Sequence, residues 1–229
     1  ELSKKFQLFV FDDEFKNHAC HIVLNHSFIA KPSQYEGLVP CGTKVLAGAR
    51  YTLLQEPFFQ QSSKRSSTIK RVLVTLGGSD PLNLSFRVAT FLKQCDKKLE
   101  VTIVTTRANK NLLWLKRRYK RVIVDEPSMA TLMARYDLIV TSASSSLLET
   151  CALQKNFIAL MCASNQESTI EALKGLSTVI KRVSLATLKK GFLAVPYEKS
   201  KQRRLFQKYR FYKGEVAREI LSLYSDLHN

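Results

Sequence analysis

The sequence predicts an α/β fold in which a parallel sheet is covered by helices on both faces. From residue 70 onward, short apolar runs alternate with helical stretches, which is typical of such sheets. Two of the apolar runs, at 71–76 and 137–141, lead directly into turns of small residues that open helices. Turns of this kind bind nucleotide phosphates in doubly wound sheets. We therefore expect a Rossmann-like domain with two bare helix N-termini facing one crevice.

The elements follow a regular order along the chain. Residues 1–58 contain three short apolar strands, and the polar stretch 59–69 has the composition of a linker. Residues 70–200 form the Rossmann-like domain, and the crossovers between its parallel strands should be right-handed. Its strands are predicted at 71–76, 100–105, 121–124, 137–141, 157–161 and 178–180, and its helices at 83–95, 109–117, 128–134, 146–154 and 166–174.

The two ends of the chain carry separate expectations. Residues 201–229 have the apolar spacing of one long amphipathic helix, with Gly214 as a candidate break. We expect this helix to pack across the sheet edge or on the first domain, the alternative being groove docking or RNA contact. Residues 1–58 are too few for a closed doubly wound core, so we expect them to be the back part of an N-terminal Rossmann-like domain.

The composition indicates which classes of partner and which cellular compartment fit this chain. The net charge of +17 calls for an anionic partner such as a nucleotide-sugar, nucleic acid or an acidic membrane surface. The basic runs at 64–65, 116–121 and 199–213 are interpreted as solvated faces. Five cysteines without a Cys-x-x-Cys pair favour a reducing, cytoplasmic location. The cluster of His18, Cys20, His21 and His26 has no standard ligand spacing, so we expect no metal, and no apolar run is long enough for a membrane span.

Three turns carry candidate binding residues. In the first, Gly77-Gly78-Ser79, the absence of Cβ atoms allows phosphate oxygens to approach the backbone, the alternative being a tight turn without a ligand. In the second, the serines at 144–146 can expose helix amides, while Glu149, placed in the first turn of that helix, can accept two sugar hydroxyls. A plain capping box between Ser146 and Glu149 is the alternative.

The third turn follows the strand at 157–161. Its residues, Asn165-Gln166-Glu167-Ser168-Thr169, have amide and hydroxyl groups suited to a uracil, a ribose or a sugar. The alternative is another helix cap, formed by Asn165 or Ser164.

These turns belong to an ordered series of motifs that supports a family resemblance. The series begins with Phe11-Asp12-Asp13-Glu14 and includes Tyr35-Glu36-Gly37-Leu38-Val39-Pro40, Gly77-Gly78-Ser79-Asp80, Ser142-Ala143-Ser144-Ser145 and Asn165-Gln166-Glu167-Ser168-Thr169. From residue 9 to about 175 the chain resembles the UDP-2,4-diacetamido-2,4,6-trideoxy-β-L-altropyranose hydrolases of pseudaminic acid synthesis, which feed flagellin glycosylation. Many relatives have Gly-Gly-Ser/Thr where this chain has Ser142–Ser145.

The resemblance implies a GT-B fold and a metal-free, cofactor-free hydrolysis that releases UDP from its linked diacetamido-trideoxy sugar. It assigns the diphosphate to Gly77, Gly78, Ser79, Ser145 and Ser146, and the ribose to Glu149. It assigns the sugar side of the cleft to three further residues, Asn165, Gln166 and Ser168.

The resemblance also implies a catalytic base that these 229 residues do not supply. In the family the base is a His in a Gly-His-x-x-Arg motif, which does not occur here. We therefore expect this chain by itself to bind UDP with little or no hydrolysis, and the base-bearing half-domain to lie upstream or on another chain. The competing hypotheses are a GT-B glycosyltransferase, separable by product analysis, and a non-catalytic basic module that binds nucleotide or nucleic acid. A steep salt dependence on oligonucleotides without UDP competition would identify a nucleic-acid binder.

Overall fold

A computed structural model describes residues 6–60, 68–195 and 199–226. They form two compact units. The first unit contains the described residues up to Glu56 and those from Tyr209 onward, and the second unit runs from Pro57 to Lys208. The division at 56/57 lies two residues before the end of the first domain expected from the sequence.

The first unit is built on a three-stranded parallel sheet. Its strands are β1 (Phe9–Phe11), β2 (Ile22–Asn25) and β3 (Lys44–Ala47), in the order β1-β2-β3. Short 3-10 turns at Pro32–Tyr35 and Ala49–Tyr51 flank the last strand. The first strand begins three residues after the start of the apolar run at 6–11.

The C-terminal segment differs from the single long helix that its apolar spacing predicts. It forms two helices, Lys199–Lys208 in the second unit and Glu215–Asp226 in the first. Gly214 separates them with a φ of +74°, a left-handed conformation that ends helices and that glycine adopts without strain. The second of these helices packs Val216 against the sheet of the first unit and pairs Glu215 with Arg50 at 2.8 Å.

The second unit is a six-stranded, all-parallel sheet covered by helices. Its strands are largely buried runs of Val, Ile and Leu, as expected for a sheet covered on both faces. The strands are β4 (Arg71–Thr75), β5 (Glu100–Thr105), β6 (Val122–Val124), β7 (Leu138–Ser142), β8 (Asn156–Leu160) and β9 (Thr178–Ile180). In chain order the helices are α1 (Pro57–Gln60), α2 (Leu84–Cys95), α3 (Leu112–Arg118), α4 (Met129–Ala134), α5 (Ser145–Ala152), α6 (Glu167–Leu173), α7 (Leu185–Ala194), α8 (Lys199–Lys208) and, in the first unit, α9 (Glu215–Asp226).

The strand order is β6-β5-β4-β7-β8-β9, which is that of a Rossmann sheet. Chain progression reverses direction between β4 and β7, which pair in parallel from Val72↔Leu138 to Thr75↔Thr141. The predicted α/β fold with a parallel sheet is therefore confirmed. In open α/β sheets ligands bind outside the carboxyl ends of the strands at such a reversal.

The helices of the second unit form two layers. In one layer α2 packs on α7, and the ring of Phe86 in α2 meets that of Trp114 in α3, 4.8 Å between centroids. In the other layer α1 contacts α4 and α5. Because crossovers are right-handed and progression reverses after β4, α5 and α6 cover the face opposite to α2 and α3. Among the described helices, none is long and apolar enough to cross a bilayer.

Candidate functional site

Three turns follow the carboxyl ends of the neighbouring strands β4, β7 and β8. Gly77–Ser79 follows β4, Ser144–Ser146 follows β7, and Asn165 and Gln166 follow β8. The other two predicted binding residues, Glu149 and Ser168, lie in the helices α5 and α6 that the last two turns open. The sheet therefore brings the three turns to one edge, on both sides of the reversal. We name them the glycine turn, the serine turn and the amide turn.

The glycine turn is held by the loop that follows β5. The carbonyl oxygen of Gly78 accepts hydrogen bonds from Thr105 Oγ1 at 2.9 Å, Thr106 Oγ1 at 3.1 Å and Thr106 N at 3.3 Å. A Cβ atom on Gly78 would lie 2.8 Å from the Thr106 side chain, so a larger residue does not fit. Because a trans peptide points its N–H opposite to its C=O, the N–H of Ser79 is directed away from this loop. The two threonines were not singled out from the sequence, although they too end a strand at this edge.

Asp80 changes what the glycine turn can bind. Its carboxylate is 3% exposed and accepts hydrogen bonds from Leu84 N at 2.9 Å and Ser85 N at 3.0 Å, the first amides of α2. The expectation of a bare N-terminus on this helix is therefore wrong, because a carboxylate of the chain already occupies the place of an anion. The amides of Gly77, Gly78 and Ser79 remain without an acceptor in the described chain.

The serine turn leaves its helix N-terminus open. Ser144 is the N-cap of α5, with extended backbone angles, and its hydroxyl bonds the Ser142 hydroxyl at 2.7 Å rather than a helix amide. Within the described residues no acceptor bonds the amides of Ser145 or Ser146. Unpaired amides at the positive end of a helix dipole form an anion site. The expectation of a bare N-terminus thus fits α5.

Glu149 lies deeper in α5 than the sequence suggests. The helix begins at Ser145, so Glu149 is the fifth helical residue and not part of the first turn. The alternative of a capping box with Ser146 is also wrong, since the structure has no side-chain cap on this helix. The carboxylate is half-buried without a hydrogen-bond or ion-pair partner among the described residues, and burial raises its pKa to about 7.

The amide turn forms a 3-10 helix, Ser164–Gln166, that leads into α6. The Oε1 atom of Gln166 accepts a hydrogen bond from Cys162 N at 2.8 Å, whereas its Nε2 group has no partner in the described chain. Asn165 and Ser168 are exposed, and no side chain caps either helix, so the capping alternative is wrong. Glu167 pairs with Lys181 at 3.2 Å.

The amide turn lies close to the glycine turn across the intervening strand. Burial and, as the smaller cause, the negative charge of Asp80 raise the pKa of the Cys162 thiol to about 11. The two side chains are therefore near enough to interact.

The first unit has its own polar cluster at the carboxyl end of β1 and β2. Asp12 accepts hydrogen bonds from Glu14 N, Lys16 N and the Tyr35 hydroxyl at 2.9–3.0 Å, and Asn25 Nδ2 donates to the same hydroxyl at 3.1 Å. Burial raises the pKa of Asp12, but these hydrogen bonds outweigh it and the net shift is downward. Burial raises the pKa of Tyr35 to about 12. In this cluster Asp12, Asn25 and Tyr35 satisfy one another's buried polar groups.

Comparison with known proteins supports the resemblance. The chain is 36% identical over 174 residues to the UDP-2,4-diacetamido-2,4,6-trideoxy-beta-L-altropyranose hydrolase of Campylobacter jejuni subsp. jejuni serotype O:2. The match covers 74% of this chain and 62% of that relative, so the chain spans less than two thirds of the relative's length. The resemblance drawn from the motif series is confirmed by this match. No protein-family model matches the chain.

Solved structures show the fold. Spinosyn rhamnosyltransferase SpnG aligns with a TM-score of 0.57 at 13% identity, over 89% of this chain and 57% of its own. A variant of S. aureus TarM, in complex with fondaparinux, alpha-GlcNAc-glycerol and UDP, aligns with a TM-score of 0.57 at 10% identity, over 90% of this chain and 44% of its own. These alignments confirm the predicted GT-B-like α/β fold class.

Proposed function

We propose that this chain carries the nucleotide-binding part of a UDP-sugar hydrolase. One observation supports this above all others. At the reversal of strand order, the unpaired amides of Ser145 and Ser146 lie one helical turn before the partnerless carboxylate of Glu149. Amides at a helix start suit a diphosphate, and a carboxylate one turn away suits the two hydroxyls of a ribose.

The proposal gives each predicted residue a role that agrees with its surroundings. Ser145 and Ser146 bind the diphosphate with their amides, and Gly77, Gly78 and Ser79 add donors from the glycine turn. The carboxylate of Asp80 leaves the serine turn as the principal anion site of the two. Glu149 binds the ribose.

The amide turn is proposed for the sugar side of the substrate. Asn165 and Ser168 are exposed and have free polar groups. Gln166 contributes through Nε2, because its Oε1 is bonded to the backbone of Cys162.

The reaction proposed is attack of water on the anomeric carbon of a UDP-linked diacetamido-trideoxy sugar. The C–O bond to the β-phosphate breaks, the free sugar keeps the water oxygen, and UDP leaves with the bonding electron pair. Helix amides at the serine turn stabilise the charge that develops on the departing diphosphate. No residue of this chain is assigned the role of the base that activates the water.

The Campylobacter relative supports this substrate, because it is 36% identical in sequence and is named for the same UDP-sugar. The glycosyltransferase neighbours support only the fold at their level of identity. Hydrolysis and glycosyl transfer use the same nucleotide site, so the two activities differ only in the acceptor, which is water in the first and a sugar in the second.

The function is tested by turnover in ¹⁸O-labelled water. Because the chain spans 62% of the Campylobacter relative, the part of that relative left uncovered by the match is supplied as a second polypeptide. We expect release of UDP without label and of free sugar carrying ¹⁸O, and much less of both with Glu149→Gln. UDP release that requires an added sugar acceptor would assign the protein to glycosyl transfer instead. Label in UDP would contradict attack at the anomeric carbon.

A further inference from the structure

The two helical layers of the second unit differ in charge. The helices α2, α3 and α7 carry seven Lys and Arg residues and no Asp or Glu. The helices of the opposite layer, α1, α4, α5 and α6, carry three Glu and no Lys or Arg. The charge of these helices is therefore distributed unevenly, and one face of this sheet presents a cationic layer; the basic helix α8 is counted in neither layer.

Most of these cations are not used within the chain. No ion pair with a described residue involves Arg87, Lys116, Arg117, Lys189 or Lys190. Among the acids near α2 and α3 along the chain, Glu100 pairs with Arg121 at 3.0 Å and Asp125 pairs with Arg107 at 2.9 Å. Compensation of helix dipoles accounts for cations in last turns, as in α3, but α7 has no basic residue in its last turn.

Large apolar side chains are exposed on the same cationic layer. Leu113 in α3 is 75% exposed, more than any other large apolar residue of the described chain, and Leu193 in α7 is 57% exposed. Trp114 is 38% exposed. Leaving such side chains in water is unfavourable unless a partner covers them.

The outward face of α3 combines both features in two turns. Leu115 is fully buried and fixes the inward face, which leaves Leu113 and Arg117 on the opposite side of the helix, with the exposed Trp114 and Arg118 on one flank. Arg117 is four residues after Leu113, and the guanidinium of Arg118 lies over the Trp114 ring, 5.1 Å from its centroid. Apolar and aromatic groups thus project directly beside cations, as on surfaces that bind bilayers.

We propose that the cationic layer formed by α2, α3 and α7 docks on the surface of an anionic phospholipid bilayer. Lys and Arg contact the phosphate headgroups, while Leu113 and the exposed part of Trp114 enter the boundary between headgroups and acyl chains. A nucleic acid fits less well, because base stacking needs a free aromatic face and Trp114 is covered by Arg118 and Phe86. Leu113 would also gain nothing from bases or phosphates. This inference does not depend on the proposed function.

The test is co-sedimentation of the full chain with vesicles. Neutral phosphatidylcholine vesicles are compared with vesicles that contain roughly one third phosphatidylglycerol, at about 0.1 M and about 0.5 M salt. We expect binding to the anionic vesicles only, weaker at high salt. Lys116→Gln with Arg117→Gln should lower the partition coefficient about 25-fold, since each cation near an anionic surface contributes about a fivefold effect. Leu113→Ser should lower it without changing its salt dependence.

Matched control variants remove two cations and one exposed leucine from positions outside the cationic layer. Arg135→Gln with Lys174→Gln changes the charge equally at exposed positions beside α4 and α6, on the opposite layer, and Leu53→Ser removes an exposed leucine in the first unit. Neither should change vesicle binding by more than twofold. Equal losses in test and control variants, or no binding to anionic vesicles at the lower salt, would overturn the proposal. So would binding of single-stranded oligonucleotides that the α3 variants weaken while vesicle binding is unchanged.

Discussion

The glycine turn and the serine turn follow adjacent strands and open helices of the same layered sheet, yet their helix N-termini are in opposite states. The first amides of α2 are bonded by the buried carboxylate of Asp80, whereas those of α5 have no acceptor in the described chain. One acidic residue therefore decides whether a small-residue turn is closed by the protein or left for a ligand. The comparison teaches that the anion site follows from the side chain that occupies the cap, and small residues alone do not create it.

The largest effect is expected from closing the serine turn in the same way. Ser144→Asp places a carboxylate at the start of α5, where it competes with the diphosphate for the Ser145 and Ser146 amides. Like charges about 5 Å apart repel by roughly 3 kcal/mol at an effective dielectric constant of about 20, so we expect UDP affinity to fall about 100-fold in calorimetric titrations. Ser144→Asn is the matched neutral control and should bind within a fewfold of the parent chain. Equal losses for both variants would show that charge is not the cause.

The next effect concerns Glu149, whose carboxylate is retained at a cost to the unliganded fold. Glu149→Gln removes the charged acceptor of the ribose hydroxyls and should weaken UDP binding about tenfold, because hydrogen bonds to charged groups contribute about 1.5 kcal/mol or more. Loss of affinity with an unchanged fold, measured by calorimetry and circular dichroism, is the expected result. Unchanged affinity would remove Glu149 from the site.

The same variant has an opposite effect on stability that depends on pH. Burial raises the pKa of Glu149 from 4.5 to about 7, so its contribution to stability is full below the unfolded value and is lost as pH rises through about 7. At pH 8 Glu149→Gln should therefore stabilise the unliganded chain by about 1–3 kcal/mol in urea unfolding, and at pH 4 by nearly nothing. Destabilisation at pH 8 would indicate that the carboxylate has a structural partner in solution.

A smaller effect is expected behind the glycine turn. Thr106→Val removes one of the three hydrogen bonds that fix the Gly78 carbonyl, so the Ser79 amide should lose its orientation. We expect UDP affinity to fall roughly threefold, in line with about 0.5–1 kcal/mol for a neutral hydrogen bond. Thr106→Ser keeps the hydroxyl and should restore binding. Failure of this rescue would attribute the effect to packing against Gly78.

The smallest effect on affinity is expected from the closed turn itself. Asp80→Asn keeps an acceptor for the α2 amides but removes the charge that favours the helix dipole. We expect the free energy of unfolding to fall by about 0.5–1 kcal/mol, with UDP affinity changed by less than about twofold. A tenfold change in affinity in either direction would show that both turns share the diphosphate equally.

Much of the second unit follows from its sequence, because apolar β-branched runs specify buried parallel strands directly. The strands at Glu100–Thr105 and Thr178–Ile180 begin and end as predicted. The helix Leu185–Ala194 was not predicted, and Gly191 within it has the appearance of a helix breaker. The structure gives this glycine a packing reason, since a Cβ atom there would lie 2.9 Å from Thr178 Cγ2.

The site was less predictable than the fold. The sequence identified the three turns because small and polar residues follow apolar strands. It did not identify the hydrogen bonds that the Asp80 carboxylate accepts from the Leu84 and Ser85 amides of α2. These amides lie four and five residues after Asp80, and they reach its carboxylate because the backbone of Asn83 is left-handed. The position of Glu149 relative to the helix start likewise depends on where Ser144 leaves the helical conformation.

The central claim is that a nucleoside diphosphate binds the open amides of the serine turn, and it is tested most directly by ¹H–¹⁵N NMR. UDP is titrated into the labelled chain while the amide resonances of Ser145, Ser146, Leu84 and Ser85 are followed. We predict saturable shifts of the Ser145 and Ser146 resonances, with Leu84 and Ser85 nearly unchanged. Shifts confined to Leu84 and Ser85, or no shifts at millimolar UDP, would contradict the account.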